Sequence, residues 1–372
     1  MRILIDASTI NGGGGLEHIN QLIKYNQNNE IVIISNSKIT NKLRKNENIS
    51  QINIGNFDKH ILFIKIWYFF FIKKIINKKN YDLYLSLNGL FVPKSIKSVL
   101  FVHNLLPFDK SELKKYNYSI RNIKFKILLR VYIKNILRSN GTIFFSKHSY
   151  EIVKKNLKQE IVYRIVPHGT DNLTSIDRGR VQRKIDLNTK KKFIFLYPSS
   201  LLPYKNHYEL IQAFKILIDK GYKLELNIVG EGFPYISNKI KAITSINSKY
   251  SKKIKYLGNL NKEDYQKLAN FSDGIIFSSS CETFALSMFD GIRMGLPLIA
   301  SDKVTAQEFL KENVFLFNPL DINNIVKNVI IFLENPIKRR QNLEKSISII
   351  NKLTWKKSIK STFEFANSIV DN

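Results

Sequence analysis

Residues 278–301 read SSSCETFALSMFDGIRMGLPLIAS, and this stretch decides the fold of the second half of the chain. It follows an apolar run at 274–277 and holds a small-residue turn, a helix-like segment, a Gly295–Pro297 turn and a second apolar run. This order predicts strand, loop, helix, turn and strand, which is one βαβ unit. The loop leaves the carboxyl end of a parallel strand and opens a helix, where free N–H groups and the helix dipole favour an anion. We therefore predict a phosphate site at this loop, flanked by Glu282 in the loop and Asp290 in the helix.

The composition indicates a globular protein with room for two domains. The 372 residues are 44% hydrophobic and 24% charged, which is typical of folded domains. Lys and Arg total 59 against 30 acidic residues, a formal charge of +29. Such an excess favours polyanionic partners, namely nucleic acid, an anionic membrane or phosphorylated substrates. The abundance of Ile, Lys and Asn, as in AT-rich genomes, explains the charge equally well.

Cysteine content and hydropathy set the expected compartment. The single cysteine, Cys281, excludes an intramolecular disulfide and a cysteine-rich metal site. The apolar run at the N-terminus is too short for a signal peptide, and the run at 61–72 is interrupted by Lys65 and is shorter than the ~20 residues that span a bilayer. We expect a cytoplasmic protein, either soluble or bound at a membrane surface.

The first half of the chain alternates predicted strands with helices, which indicates a parallel sheet covered on both faces. The segment NGGGG at 11–15 lies between the first strand and a helix predicted from Leu16 to Tyr25. Backbone at Gly13, Gly14 and Gly15 can approach an anion or a sugar closely, although a glycine turn without a ligand is the alternative. The predicted strands are 2–6, 31–35, 81–87, 98–104, 141–146 and part of 161–172.

Two segments of the first half are both basic and apolar. Residues 59–79 are aromatic in the middle with lysines at the ends, as in a buried helix or one lying on a membrane. Residues 120–138 predict an amphipathic helix with a cationic face. Packing on the protein's own sheet is the alternative to membrane contact. The cationic face comprises Lys126, Arg130, Lys134 and Arg138, beside apolar Ile123, Ile127 and Val131.

A polar, basic segment at 173–192 divides the chain, because the βα alternation starts again after it. We predict an N-terminal domain at 1–172, a linker at 173–192 and a C-terminal domain at 193–353. A helix at 354–372 is able to pack back on the N-terminal domain. Two Rossmann-like domains of this kind are expected to face each other across a cleft.

The second half holds three further motifs, YPSSLLPYKNH at 197–207, LNIVGEG at 226–232 and the stretch from 254 to 284 that ends in ETF. Together they resemble the retaining glycosyltransferases of the GT-B fold, in the large family four of nucleotide-sugar enzymes. The resemblance covers nearly the whole chain. It implies an α/β protein of GT-B fold, with two Rossmann-like parallel-sheet domains facing across a cleft.

The resemblance assigns roles to residues of the second domain. Glu282 faces the hydroxyls of the donor sugar, Asp290 holds the ribose hydroxyls, and Lys205 neutralises the donor diphosphate. Paired hydroxyls suit a carboxylate, which accepts two hydrogen bonds. Further donor-binding positions are Ser200, Asn206 and Gly230, and the backbone of Phe284, Ala285 and Leu286.

The chain departs from the family pattern near these residues. Asp290 replaces a glutamate, Thr283 and Ala285 replace glycines, Ser287 replaces a proline, and Ser200 stands where an arginine is common. The loop therefore carries β-carbons and lacks one cation. These departures leave open a GT-B scaffold that is weak or inactive as a catalyst.

Two histidines of the first half also lie in family-like motifs. VHNLLPFD at 102–109 resembles the end of a family strand and places His103 at the cleft, near the acceptor or donor sugar. A purely structural histidine is the alternative. His168, in PHGTD at 167–171, is expected to shape a turn.

The resemblance implies transfer of a sugar from a nucleotide diphosphate sugar with retained configuration. We predict no cofactor and no metal, because Lys205 and a helix dipole serve the diphosphate and no acidic pair follows a strand. The predicted acceptor is a polyprenyl-diphosphate-linked glycan of O-antigen or capsule synthesis. It would be met on the inner face of the plasma membrane through the helices near 59–79 and 120–138. A nucleic-acid-binding protein is the remaining alternative, but no nucleic-acid motif is recognisable.

Overall fold

The computed structural model describes the whole chain except residues 27, 56, 58–60, 117–119, 171–191, 246, 247, 304 and 372. Its backbone forms two compact units. Unit 1 comprises Met1–Leu113, Tyr118–Gly169 and Leu353–Asn372, and unit 2 comprises Lys114–Asn117 and Thr170–Lys352. The linker predicted at 173–192 lies outside the described residues, apart from residue 192.

Unit 1 is built on a seven-stranded sheet of parallel strands in the order β3-β2-β1-β4-β5-β6-β7. Its central strands are fully buried because helices cover both faces. The edge strand β3 was not among the predicted strands, since its sequence ISQIN alternates weakly and is half exposed. The strands are β1 Arg2–Asp6, β2 Glu30–Ser35, β3 Ile49–Asn53, β4 Leu83–Ser86, β5 Ser98–Phe101, β6 Gly141–Phe144 and β7 Tyr163–Ile165.

The first helix of unit 1 begins at Gly13, so the prediction that it starts at Leu16 was wrong. Gly12 and Gly13 adopt positive φ angles of 148° and 58°, which glycine tolerates, and Gly14 and Gly15 complete the first turn. The helices are α1 Gly13–Lys24, α2 Ser37–Thr40, α3 Ile61–Trp67, a π-helical turn Tyr68–Ile72, α4 Lys73–Lys79, α5 Lys110–Leu113, α6 Ile120–Arg138 and α7 Lys147–Lys154.

Unit 2 contains a six-stranded parallel sheet in the order β10-β9-β8-β11-β12-β13. Numbered within the unit, this is the doubly wound order 3-2-1-4-5-6. Its strands are β8 Phe193–Pro198, β9 Leu224–Val229, β10 Ile254–Tyr256, β11 Gly274–Phe277, β12 Leu298–Ser301 and β13 Phe315–Phe317. Its helices are α8 His207–Asp219, α9 Pro234–Ile243, α10 Lys262–Phe271, α11 Leu286–Arg293, α12 Ala306–Leu310, α13 Ile322–Glu334 and α14 Pro336–Ile350.

The last helix, α15 Trp355–Asp371, belongs to unit 1. It lies against β6, where a β-carbon on Gly141 would come within 2.8 Å of the Phe365 ring. Glycine at 141 therefore allows the helix to approach the sheet closely. None of the described helices is long and apolar enough to cross a membrane.

The strand order reverses between β1 and β4 in unit 1 and between β8 and β11 in unit 2. Ligands of doubly wound sheets bind beyond the carboxyl ends of the strands at such a reversal. In unit 2 this place is formed by the loops after β8 and β11, which carry Lys205 and Glu282.

Candidate functional site

The loops after β8 and β11 bring two predicted residues into direct contact. The Lys205 ammonium forms an ion pair with the Glu282 carboxylate, and Lys205 is only 8% exposed. Because neighbouring parallel strands end at the same edge of the sheet, residues 77 positions apart meet here. The pair places a cation and a hydrogen-bond acceptor side by side where the strand order of unit 2 reverses, which is called here the switch point of unit 2.

Several side chains that the motifs did not single out hold this pair. The Tyr197 hydroxyl donates to the Lys205 carbonyl at 2.5 Å, and Ser279 Oγ donates to Glu282 Oε1 at 2.7 Å. Lys205 Nζ also lies 5.3 Å and 5.5 Å from the ring centroids of Tyr204 and Phe277, a distance at which cation–π attraction acts. The charged groups are therefore fixed in place, and only the serine run at 278–280 hinted at this in the sequence.

Asn206 joins the two loops. Its Nδ2 donates to the Ser278 carbonyl at 2.6 Å and to Ser280 Oγ at 3.1 Å, and its Oδ1 accepts from Lys115 Nζ at 2.7 Å. Lys115 also donates to Ser280 Oγ at 3.1 Å. The side chain of Asn206, a predicted donor-binding residue, is thus engaged in loop contacts, and Lys115 adds a second cation that the motifs did not indicate.

Helix α11 begins with Leu286, directly after a left-handed residue. Ala285 has φ 62° and ψ 58°, a conformation that is costly for residues with a β-carbon. Phe284 turns its ring into the core of unit 2, against Phe289 at 4.8 Å and Phe309 at 5.1 Å. A ligand at this helix start would therefore meet the backbone of Phe284 and not its side chain.

Replacing Ala285 by glycine is expected to stabilise unit 2. The substitution removes the steric cost of the left-handed conformation and adds chain entropy to the unfolded state, for a net gain of about 0.5–1 kcal/mol. Hydrogen exchange of the unit 2 amides measures the change. Ala213→Gly, buried inside α8, is the matched control and should lose about 1 kcal/mol of unfolding free energy. A loss of stability in both variants would contradict the left-handed cost at Ala285.

The other predicted donor residues lie around the same edge of unit 2. Asp290 is half-buried on α11. The pKa of Tyr265 on α10 is raised, first by burial of Tyr265 and second by the charge of Asp290. Ser200 is exposed in the loop after β8. Gly230 has φ 136°, and a β-carbon there would lie 2.2 Å from the Ser199 carbonyl oxygen. Glycine at 230 is thus required by the close approach of the loop after β8.

His207, the first residue of α8, is buried next to the ion pair. Burial, and then the charge of Lys205, lower the pKa of His207 to about 3. Its ring lies 5.0 Å from the Tyr197 ring. The imidazole is therefore neutral at pH 7.

Acidification is expected to destabilise unit 2 through His207. The pKa of histidine is 6.5 in the unfolded chain and about 3 in the folded one, so the unfolded state binds the proton first and stability falls as pH drops below about 6.5. One such proton contributes about 1.4 kcal/mol per pH unit. The unfolding free energy is measured by urea unfolding, followed by far-UV circular dichroism, between pH 7 and 4. Its slope against pH should be smaller by this amount in His207→Gln than in the wild type. Identical slopes in the two proteins would refute the role of His207.

In unit 1, His103 lies half-buried beside two other histidines. His18 Nδ1 and His103 Nε2 are 3.3 Å apart, and the His168 ring stacks on Phe145 at 3.9 Å. Burial lowers the pKa of all three, that of His103 to about 4. The sequence singled out His103, missed His18 and expected His168 only to shape a turn. Gly13, Gly14 and Gly15 form the first turn of α1, which carries His18.

The two parallel-sheet units define a GT-B fold, and solved structures of the same fold cover almost the whole chain. Sucrose-phosphate synthase from Thermosynechococcus elongatus matches with a TM-score of 0.77 and 14% identity over 99% of both chains. Anabaena Alr3699/HepE in complex with UDP-glucose matches with a TM-score of 0.74 and 17% identity over 99% of this chain and 100% of its own. At such identities the likeness shows the fold alone.

A family resemblance is found in the sequence of unit 2. Residues 179–348 match the model of the family described as Glycosyl transferases group 1. A curated relative, the serotype-specific mannosyltransferase WbdA of Escherichia coli, is 28% identical over 171 residues, which cover 44% of this chain and 20% of the relative. The chain thus spans about a fifth of the length of the first curated relatives it matches.

Proposed function

We propose that the protein transfers a sugar from a nucleotide diphosphate sugar to a glycan acceptor, with retained configuration, in bacterial polysaccharide synthesis. The observation that carries the proposal is the Lys205–Glu282 pair at the switch point of a group 1 glycosyl transferase domain. A mannosyltransferase among the relatives and a UDP-glucose complex among the structural neighbours support a nucleotide-sugar donor.

In this proposal Lys205 stabilises the leaving diphosphate. An ammonium carries three donors, so Nζ can keep its bond to Glu282 while it meets a phosphate oxygen. The N–H groups at the start of α11 add a partial positive charge at the same loop. Fixed charges of this kind act mostly where charge develops in the transition state, and no resident metal or cofactor is required for that role.

Glu282 has the complementary task of orienting the donor sugar. One oxygen accepts from Ser279 and Lys205, which leaves acceptor capacity on the carboxylate for sugar hydroxyls. A phosphate oxygen of the leaving group takes the proton of the acceptor hydroxyl on the same face of the sugar. Asp290 is assigned to the ribose, and His103 to the acceptor or donor sugar.

Nucleoside diphosphate release from a panel of UDP-, GDP- and dTDP-sugars tests the proposal. GDP-mannose and UDP-glucose come first, given the relative and the neighbour named above. Turnover of one donor that falls sharply in Glu282→Ala supports the assignment. If no donor gives release and no nucleoside diphosphate binds by calorimetry, the protein is a GT-B scaffold without activity.

The proposed acceptor is a polyprenyl-diphosphate-linked glycan of O-antigen or capsule synthesis, met at the cytoplasmic face of the plasma membrane. Two surfaces of unit 1 support membrane contact. Helix α6 exposes Ile123 and Ile127 together with Lys126, Arg130 and Lys134, as an interfacial helix does. The segment 63–71 presents a second surface, called here the aromatic patch: Phe63, Phe69, Phe70 and Phe71.

A further inference from the structure

Three histidines from three separate elements of unit 1 converge on one point. His18 lies on α1, His103 follows β5, and His168 follows β7. One nitrogen of each ring lies within 4.8 Å of the other two. Within the described parts of the chain, no other group of three His, Cys, Asp or Glu side chains brings its ligand atoms together in this way.

The spacing of the rings is close to that of a three-histidine metal site. Zinc–nitrogen bonds of 2.0–2.1 Å in a tetrahedral arrangement put ligand nitrogens about 3.3 Å apart and ring centroids about 5 Å apart. His18 Nδ1 and His103 Nε2 are 3.3 Å apart. The three centroid distances are 4.7, 5.2 and 5.8 Å, so closure of the third ligand needs a movement of at most about 1.5 Å.

The surroundings of the cluster also suit a metal ligand set. His18 and His168 are 1% and 4% exposed, whereas His103 is half-buried, which leaves one side open for water or another ligand. The Phe145 and Trp355 rings pack against His168 at 3.9 and 5.2 Å and restrict its movement. An all-imidazole ligand set favours zinc-like ions over Mg²⁺ or Ca²⁺.

We propose that His18, His103 and His168 bind one transition-metal dication, Zn²⁺ or a chemically similar ion, through three imidazole nitrogens. The ion ties α1 to the ends of β5 and β7 and leaves one coordination position open. This site belongs to unit 1 and shares His103 with the proposed sugar contact, and it departs from the sequence prediction that no metal is bound. Its test measures metal binding alone, so its outcome does not depend on the proposed transfer reaction.

Metal titration of the tag-free, EDTA-treated full chain tests the proposal. We expect one equivalent of Zn²⁺ to bind by calorimetry, and one equivalent of Co²⁺ to give the strong visible absorption of a tetrahedral site. His18→Gln, His103→Gln and His168→Gln should each weaken binding at least about 100-fold, more than loss of an outer-shell partner does. His207→Gln, a buried histidine of unit 2, is the matched control and should bind as the wild type does.

A second measurement keeps the test decisive if one variant fails to fold. Both tryptophans of the chain, Trp67 and Trp355, belong to unit 1, so their fluorescence follows the unfolding of that unit alone. Zn²⁺ that binds the folded state is expected to raise the unfolding midpoint of the wild type, and not that of His168→Gln. The proposal is overturned if the wild type shows no saturable binding at one equivalent, or if all three glutamine variants bind Zn²⁺ as tightly as the wild type. The three histidines are then a packed aromatic cluster.

Discussion

Lys205→Ala should lower the rate of nucleoside diphosphate release by about 10²–10³-fold, or about 3–4 kcal/mol in the barrier. The ammonium is the cation that Glu282, Tyr204 and Phe277 hold at the end of β8. In an almost buried place its charge acts on a leaving diphosphate with little screening by water. The measurement is steady-state release with the donor that the panel identifies.

A control for folding is needed, because the substitution also leaves Glu282 without its partner. Breaking a buried ion pair typically costs 3–5 kcal/mol, and this pair, though 10% and 16% exposed, lies near that regime. The double variant Lys205→Ala/Glu282→Ala removes both charges, so it should regain stability without regaining activity. Lys249→Ala, which breaks the exposed pair with Asp219 in the same unit, should change neither. Normal release by folded Lys205→Ala would refute the role.

The fold was largely predictable because alternation of apolar runs and helical periodicity is a local signal. β1, β2, β4 to β7, β11 and β12 lie within or close to the predicted runs. The edge strand β3 and the start of α1 were not predicted, since a half-exposed strand lacks clear alternation and a glycine run gives no helical periodicity.

The site was predictable only in part, for a physical reason. Lys205 and Glu282 stand in motifs, and parallel pairing of β8 with β11 brings them together. The contacts of Tyr197 with Lys205 and of Ser279 with Glu282 are local, over 8 and 3 residues, but depend on the exact turn geometry. The contact of Lys115 with Ser280 depends on tertiary packing over a separation of 165 residues. No spacing rule reports such contacts. The same holds for His18, which meets His103 only after α1 has packed near the end of β5.

Replacing Phe69 and Phe70 of the aromatic patch by serine should weaken binding to anionic vesicles about 100-fold or more. The two side chains are 78% and 58% exposed, and each gains about 1.5–3 kcal/mol when fully buried. Partial insertion into the interface still leaves about 3 kcal/mol for the pair. Flotation with vesicles containing phosphatidylglycerol measures the change.

The π-helical turn at Tyr68–Ile72 explains why the loss of vesicle binding should come from the aromatic patch alone. Its wider turn lets three consecutive phenylalanines, 69 to 71, face outward while Tyr68 and Ile72 stay buried. The Tyr68 hydroxyl donates to Asp6 Oδ2 at 2.5 Å, so the segment is anchored to the end of β1. Serine at 69 and 70 leaves that anchor intact.

Phe271→Ser is the matched control, because Phe271 is a similarly exposed phenylalanine of unit 2, at 74%. Residual binding of the double variant should decrease with salt, since the cations of α6 are screened. Equal losses in the control and the double variant would show that the patch has no special part in membrane contact.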